Sequence, residues 1–421
     1  MTPEIKQRID AIRRGAVPEG YKKTINGIVP AQWSFILFRE ILKKKLAKNV
    51  GNKIHNILTN SATEGIIRQA DYFDKKITND DNTEVYYIVE QGDFVYNPRI
   101  SVSAPCGPFN RYNGVEQGIM SPLYSVFSLK SEQLNSDFLK LYLRSTFWHK
   151  YMCSIANYGV RSDRMNVSNE DLLNLTLPAP VLREQQKIAE ILTTQDNVID
   201  LKEKRIAQKQ RQKKYLMQQL LTGKKRLKGF SGEWITQELS AMFSERIEKN
   251  CRDLQLLAIT GTKGVVPRTE LDLKDNSSED KSKYLRICAG DIGYNTMRMW
   301  QGVSAYSNYE GIVSPAYTIL KPKNSVDAKY FAYLFKLPEI VFFFYRFSQG
   351  LVDDTRNLKY SNFKKIRVDF PRDVNEQSAI AKVLSTADNE IALLQKDLEQ
   401  EKLKKKALMQ LLLTGIVRVS A

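Results

Sequence analysis

Apolar residues fall on one seven-residue stripe in two stretches of the chain, at Leu192, Ile199, Ile206 and Leu220 and again at Leu384, Ile391, Leu398 and Leu412. The positions between them are largely charged or amide-bearing, so each stretch predicts one long amphipathic helix. Each opens shortly after a proline, Pro180 or Pro371, and closes on Thr-Gly at Gly223 or Gly415, which are start and stop signals of a helix. About 40 residues at roughly 1.5 Å per residue predict a rod on the order of 60 Å. A rod with one apolar stripe needs a partner for that stripe. The matching stripe is the other copy, and the order of the chain makes the pair an antiparallel coiled coil.

The two helices are copies of one sequence. Glu184 to Gly223 recurs 192 residues later as Glu376 to Gly415, with about half of the positions identical and no gap. The regions outside the helices repeat more faintly. Gly27-Ile-Val-Pro-Ala-Gln-Trp33 is answered by Gly229-Phe-Ser-Gly-Glu-Trp234, and Gly92-Asp-Phe-Val-Tyr-Asn97 by Gly290-Asp-Ile-Gly-Tyr-Asn295. Gly118-Ile-Met-Ser-Pro-Leu-Tyr124 pairs with Gly311-Ile-Val-Ser-Pro-Ala-Tyr317, and Gly159-Val-Arg-Ser-Asp-Arg-Met-Asn166 with Gly350-Leu-Val-Asp-Asp-Thr-Arg-Asn357. Order and approximate spacing are kept, so two copies of one fold are implied. Aromatic and β-branched runs such as Glu84 to Val89 and Leu123 to Leu129 read as strands, and Ser136 to Tyr151 as helix. The fold class is therefore α+β, with two globules joined by two long helices in a pseudo-two-fold repeat. The expected boundaries are 1–178 for the first globule with its N-terminal helical segment, 179–226 for the first long helix, 227–370 for the second globule and 371–421 for the second helix.

Composition narrows the chemistry. At 421 residues and 42% hydrophobic content the chain can bury two or three cores. No apolar run reaches the roughly 18 residues of a membrane span, and Ile340 to Phe344 is too short. The N-terminus reads as a short polar helix without the apolar centre of a signal peptide, so the cytoplasm is the expected location. Four scattered cysteines (Cys106, Cys153, Cys251, Cys288), with His55 and His149 the two histidines, argue against zinc, disulfides and imidazole-based nucleophilic catalysis; buried structural cysteines are expected instead. The net charge of +17 fits a protein that sits on phosphate backbone.

The repeated helix, Pro then Glu-Gln-x-x-Ile-Ala-x-x-Leu, Asp-Asn-x-Ile and Leu-Met-Gln-x-Leu-Leu-Thr-Gly, alternates with a globule opened at Gly-x-x-Pro-x-x-Trp. This arrangement resembles the specificity subunit (HsdS) family of type I restriction-modification systems over essentially the whole chain. The resemblance implies that each globule is a target-recognition domain for one half of a bipartite DNA site. It further implies that the paired helices are a spacer and a docking surface for two methyltransferase (HsdM) subunits, with restriction (HsdR) subunits in the complete assembly. Catalysis, S-adenosylmethionine and ATP with Mg are expected on those partners and none in this chain. The segment Gly15 to Tyr21 resembles a piece that in this family packs near the end of the second helix. In the second copy one residue is inserted and one proline lost before Glu376, a departure at the start of that helix.

Half-sites about 34 to 36 Å apart need a stiff spacer of comparable length. Because the globules differ outside the shared motifs, the expected target is asymmetric. Base edges and phosphates are contacted by Arg, Lys, Asn and Gln on loops flanking the scaffold. The candidates are Arg99, Arg111, Asn113, Arg161 and Arg164 in the first globule and Lys263, Arg268, Arg298 and Arg356 in the second. Tyr112 and Trp300 read as packing groups, Trp33 and Trp234 as core anchors, and the recurring Gly-Asp and Ser-Pro motifs as turn chemistry. Lys209, Lys213, Lys214, Lys224, Lys225 and Lys404 to Lys406 either neutralise phosphates or form a solvated helix face. Leu216, Met217, Leu220, Leu408, Met409 and Leu412 are coiled-coil core or an apolar patch for a partner.

Enzyme readings fail on the residues. Asn97-Pro98-Arg99 lacks the second proline of an amino-methyltransferase motif, and Thr222-Gly223-Lys224-Lys225 lacks the glycine and hydroxyl of a phosphate-binding loop. The rival reading is a coiled-coil assembly protein without a DNA-reading role.

Overall fold

The structure is a computed structural model; it describes residues 2–25, 27–72, 83–156, 163–261, 263–271 and 280–419. Two compact units are present: one comprises residues 1–201 with 398–421, the other 202–397. Two long helices, Leu182–Leu220 and Val374–Leu413, are divided between them.

In the first unit a four-stranded antiparallel sheet has the order Leu42–Lys44, Ser125–Leu129, Phe94–Tyr96, Phe109–Arg111. The second unit repeats that order with Phe243–Arg246, Tyr317–Pro322, Ile292–Asn295 and Ser304–Tyr306. The same correspondence holds for the hairpins Leu58–Ser61/Gly65–Arg68 and Leu257–Thr260/Gly264–Pro267. It holds also for the tryptophan strands, Ser34–Leu37 on Thr176–Ala179 and Trp234–Glu238 on Arg367–Pro371. Each main sheet buries an aromatic core. Phe109 meets Phe38, Tyr96, Phe127 and Trp148 in the first unit. Phe331 meets Phe243, Phe335 and Phe370 in the second.

The expected helix at 136–151 is two helices, Ser136–Leu143 and His149–Ile155. Ser145 turns the chain between them by donating to the Tyr142 carbonyl, and the Trp148 indole caps the first helix at the Leu143 carbonyl (2.9 Å). The expected strand at 84–89 is confined to Tyr87–Val89.

Within each unit the long-helix segments pair antiparallel. In the first unit Gln195 donates to Glu401 and Lys405 pairs with Asp196, while Ile188, Leu192 and Leu412 are buried in its core. In the second, Lys202 pairs with Asp397, Lys209 with Glu390 and Lys213 with Asp388, over buried Ile380 and Leu384.

The recurring Glu-Gln at the helix starts is framework. Glu184, buried, accepts Arg418 Nε and Nη2 at 2.6 and 2.7 Å; Glu376, buried, accepts Arg226 Nε and Nη2 at 2.5 and 2.6 Å. Gln185 and Gln377 take the backbone N–H of Asn135 and Asp327 (2.8 Å each), the residues that cap the first helix of the equivalent pairs. The residue inserted before Glu376 leaves the helix start at the matching position, and Asp373 there accepts the Asn375 N–H.

Each Thr-Gly end lies against a tryptophan. Gly223 (φ +69°) and Gly415 (φ +67°) are left-handed, and a Cβ on Gly415 would sit 2.8 Å from the Trp33 ring. The N-terminal piece packs beside this end, where Tyr21 donates to the Gly415 carbonyl (2.8 Å) and Arg8 to that of Ile416 (2.7 Å). The cysteines depart from expectation: Cys106 is buried, but Cys153 is exposed and Cys251 and Cys288 are half-buried. Cys106 and Cys153, 47 positions apart, bring their sulfurs to 3.7 Å because the His149–Ile155 helix lies on the loop after Tyr96.

Candidate nucleic-acid interface

The shared motifs build matching loop clusters. In the first unit the Asp93 carboxylate accepts the Glu90 N–H (2.7 Å) and Lys45 (2.7 Å); in the second, Asp291 accepts the Cys288 N–H (2.8 Å) and Arg246 (2.7 Å). The asparagine that ends each motif folds the next turn, Asn97 Oδ1 accepting the Arg99 N–H (3.0 Å) and Asn295 Oδ1 that of Met297 (2.9 Å). Such side-chain mimicry of a backbone turn is what asparagine does best. The exit segment is then stitched on: Met165 N–H donates to the Pro98 carbonyl (2.9 Å), Leu358 N–H to that of Thr296 (2.8 Å). Ser121 and Ser314 likewise close turns with their hydroxyls. These acceptors, shared by the two units, face their own backbone, so the side chains between them are the groups left to differ from one unit to the other.

In the first unit the cluster brings Arg99 and Arg164 together through an isolated antiparallel bridge. Asp163 lies between them, 3.3 Å from Arg99 and 3.9 Å from Arg164, and Arg99 stays exposed. Arg161 lies outside the described residues. Arg111 sits elsewhere and is engaged: its guanidinium donates to Asn113 Oδ1 (3.1 Å), Ser136 Oγ (2.8 Å) and Asp137 Oδ1 (2.7 Å), tying strand Phe109–Arg111 to the start of the Ser136–Leu143 helix. Tyr112 is buried and donates to the Glu116 carbonyl (2.8 Å).

In the second unit Arg298 is exposed on the turn after Asn295. Arg356 on the exit segment stacks over Tyr345 (4.1 Å) and lies 6.0 Å from Trp300, with hydrogen bonds to Tyr345 Oη and Asp353 Oδ1 (3.2 Å each). Trp300 donates to the Met297 carbonyl (2.9 Å) and meets Tyr345 edge-on. A guanidinium clamped between two rings keeps a fixed direction, and such contacts are worth about 0.5 to 2 kcal/mol. Lys263 and Arg268 form a separate pair of positions on the 257–267 hairpin and the turn that follows it. Beside the cluster runs an open groove of about 770 Å³, lined in part by Thr296, Met297, Asn357, Lys359, Glu245 and Lys249.

The helix lysines divide in two. Lys209 and Lys213 pair with acids of the neighbouring helix segment, as does Lys405, and Lys404 lies 3.6 Å from Glu401 of its own helix. Lys214, Lys224, Lys225 and Lys406 are exposed. Leu220 and Leu412 are core; Leu216, Met217, Leu408 and Met409 pack on those cores while keeping part of their surface.

A frame repeated twice, with arginine-bearing loops on the same two connections, is what a family comparison can decide. The family model for the type I restriction modification DNA specificity domain matches this chain twice, at residues 38–211 and 263–403. The chain belongs to that family. Among relatives of this DNA specificity family is a putative type I restriction enzyme MjaX specificity subunit of Methanocaldococcus jannaschii, 25% identical over 95% of this chain and 97% of the relative. The MjaVIII specificity subunit of the same organism is 34% identical over 28% of this chain and 27% of its own length. Two solved structures share the fold at 14% identity. One, from a study of complex assembly and conformational transition of the type I restriction-modification system, gives a TM-score of 0.55 over 92% of this chain and 99% of the other. The S subunit from M. genitalium gives 0.54 over 90% and 96%.

For this specificity-domain chain, residue type in the sequence singled out Arg356 as a candidate but not the Tyr345 ring it stacks on. It did not single out Leu351 and Val352, exposed apolar residues set between Gly350 and Asp353 in an otherwise polar stretch. That interruption of polarity was the available signal. Among the described residues no helix is long and apolar enough to cross a membrane, and no three His, Cys, Asp or Glu side chains converge as metal ligands.

Proposed function

We propose that this chain is the sequence-reading subunit of a type I restriction-modification complex, each unit reading one half of an asymmetric, interrupted DNA site. The observation that carries this reading is a shared frame with unlike loops. The Asp-turn, the Asn-turn and the exit stitch are the same in both units, while Arg99, Arg164 and Asp163 occupy one loop cluster and Arg298, Trp300, Tyr345 and Arg356 the other. Equal frames with equal loops would read a palindrome; unlike loops read two sequences. Base edges offer acceptors to guanidinium groups in the major groove, and phosphates offer charge, so these loops supply both kinds of contact.

In this reading the paired helices set the spacing and, with the part-exposed Leu216, Met217, Leu408 and Met409, dock two methyltransferase subunits. Restriction subunits complete the assembly. The chain itself is non-catalytic and works in the cytoplasm. S-adenosylmethionine and ATP with Mg belong to the partner subunits, which would supply methyl transfer and DNA cleavage.

The test is genome-wide mapping of methylated adenine in cells expressing this chain with its neighbouring methyltransferase subunit, against cells lacking only this chain. One asymmetric two-part motif should vanish with the chain. Unchanged methylation despite verified expression would leave an assembly protein without a DNA-reading role.

A further inference from the structure

The exit loop of the second unit displays two apolar side chains that its own packing does not use. Leu351 is 99% exposed and Val352 59%. Scattered apolar residues are ordinary on protein surfaces, but this loop is firmly built. Gln349 and Asn357 exchange both backbone hydrogen bonds at 2.8 Å. Gly350, at φ +121°, makes a turn in which a Cβ would lie 2.6 Å from the Thr355 carbonyl oxygen. The Thr355 N–H then closes on the Val352 carbonyl (3.0 Å), and Arg356 locks the base of the loop onto Tyr345. A leucine held out to water on so ordered a support is pre-organised for a contact made elsewhere.

The surroundings say what kind. Arg356 lies at the base of the loop, exposed Arg346 follows Tyr345 on the helix beneath, and Arg298 is on the turn that carries Trp300. Asp353 and Asp354 follow the apolar pair directly, and Arg356 engages Asp353 at 3.2 Å, so the cationic surroundings of the tip rest on Arg298 and Arg346 as well. An apolar tip in such surroundings matches a polyanion that carries one apolar group. In the major groove that group is the C5-methyl of thymine, which each of the other bases lacks. We propose that Leu351, flanked by Val352, reads a thymine methyl in the half-site taken by the second unit. This rests on the DNA-reading function proposed above.

The test uses the full chain in its complex with the methyltransferase subunit and duplexes carrying the motif returned by methylation mapping. Each thymine in turn is replaced by uracil, which removes only the methyl group. At one position of one half-site the wild type should bind uracil about four-fold more weakly, the value of one buried methyl. Leu351→Ala should bind thymine and uracil alike there, and Leu351→Met should keep the preference. Because residue 351 lies almost wholly in solvent, both variants should fold, which circular dichroism checks. Three results overturn the assignment: no thymine whose methyl matters, an unchanged thymine preference in Leu351→Ala, or loss of methyltransferase assembly in that variant, which makes the tip a protein contact. A mapped motif that depends on the chain, with any of these, sinks the Leu351 assignment alone; no dependent motif sinks the reading function with it.

Discussion

In the first unit the Asp93 turn is held by a lysine, Lys45, which reaches Asp93 and Glu90 at 2.7 and 2.6 Å; in the second the same turn is held by an arginine. Arg246 grips Asp291 with two nitrogens (2.7 and 3.2 Å) and Glu248 with a third, and Glu248 is shared with Arg286, which also binds Glu310. Burial raises the Asp93 carboxyl above its ordinary range despite Lys45, whereas Asp291 and Glu248 raise the Arg246 guanidinium. The acceptors on the frame are preserved because backbone N–H groups of the turn require them. The cation is free to change, since any donor of the right reach neutralises the carboxylate. What differs between the units is therefore how stiffly the same turn is braced, and a planar fork braces it better than a point charge.

Removing the braces is the largest expected perturbation. Arg246→Ala strands Asp291, only 2% exposed, and should cost about 3 to 5 kcal/mol. Lys45→Ala should cost less, about 2 kcal/mol, because burial already raises the Asp93 carboxyl, so it takes up a proton more readily once its cation is gone. Denaturant unfolding, with hydrogen exchange to locate the loss in one unit, measures both. Equal losses would show that fork geometry adds nothing here.

At the helix starts the comparison predicts equality. Glu184→Ala and Glu376→Ala each remove a bidentate acceptor from an arginine that remains partly open to water, so each should cost about 2 to 3 kcal/mol. The two losses should match within experimental error. A twofold difference would mean that the repeated frame is not energetically repeated.

On the loops the units should part company again. Arg99→Ala should relax the first half of the methylated motif and Arg298→Ala the second, each by about 1 to 3 kcal/mol of discrimination if it touches a base. If either touches phosphate instead, the motif stays strict and the slope of log affinity against log salt falls by about one. Binding of the complex to matched and mismatched duplexes at several salt concentrations separates the two.

These contrasts also mark what the sequence could carry. The long helices were legible because Leu192, Ile199, Ile206 and their copies repeat with the helix period, and the duplication was legible because its buried Glu-Gln pair needs the same partners twice. The break at Ser145 was not, since it depends on the Trp148 indole folding back onto Leu143. Arg111 was not, since a guanidinium that braces a helix start looks in sequence like one that reads a base. The Cys106 to Cys153 approach was hidden for the same reason: it is made by tertiary packing across 47 positions, with no spacing signal.

A pH-dependent difference lies at one further unlike pair, Arg144 and Lys336, which follow the equivalent helices Ser136–Leu143 and Ala328–Leu334. Arg144 is exposed. Lys336 turns inward, its Nζ donating to the carbonyls of Gly302 (2.7 Å) and Ser304 (2.6 Å). Burial, helped by the charge of Lys213, brings its ammonium down to about 8. A neutral amine keeps two N–H donors, so it can hold both carbonyls while shedding the buried charge. Because the folded value lies below the unfolded one, the unfolded chain binds more protons between pH 8 and 10.5, and stability must rise with pH across that window. The gain should be about 2 to 3 kcal/mol, confined to the second unit, and absent in Lys336→Met. Hydrogen exchange followed from pH 7.5 to 10 in both proteins, corrected for the intrinsic rate, reads it directly. A slope that survives Lys336→Met, or that appears equally in the first unit, would assign the titration to another group and remove this difference between the two frames.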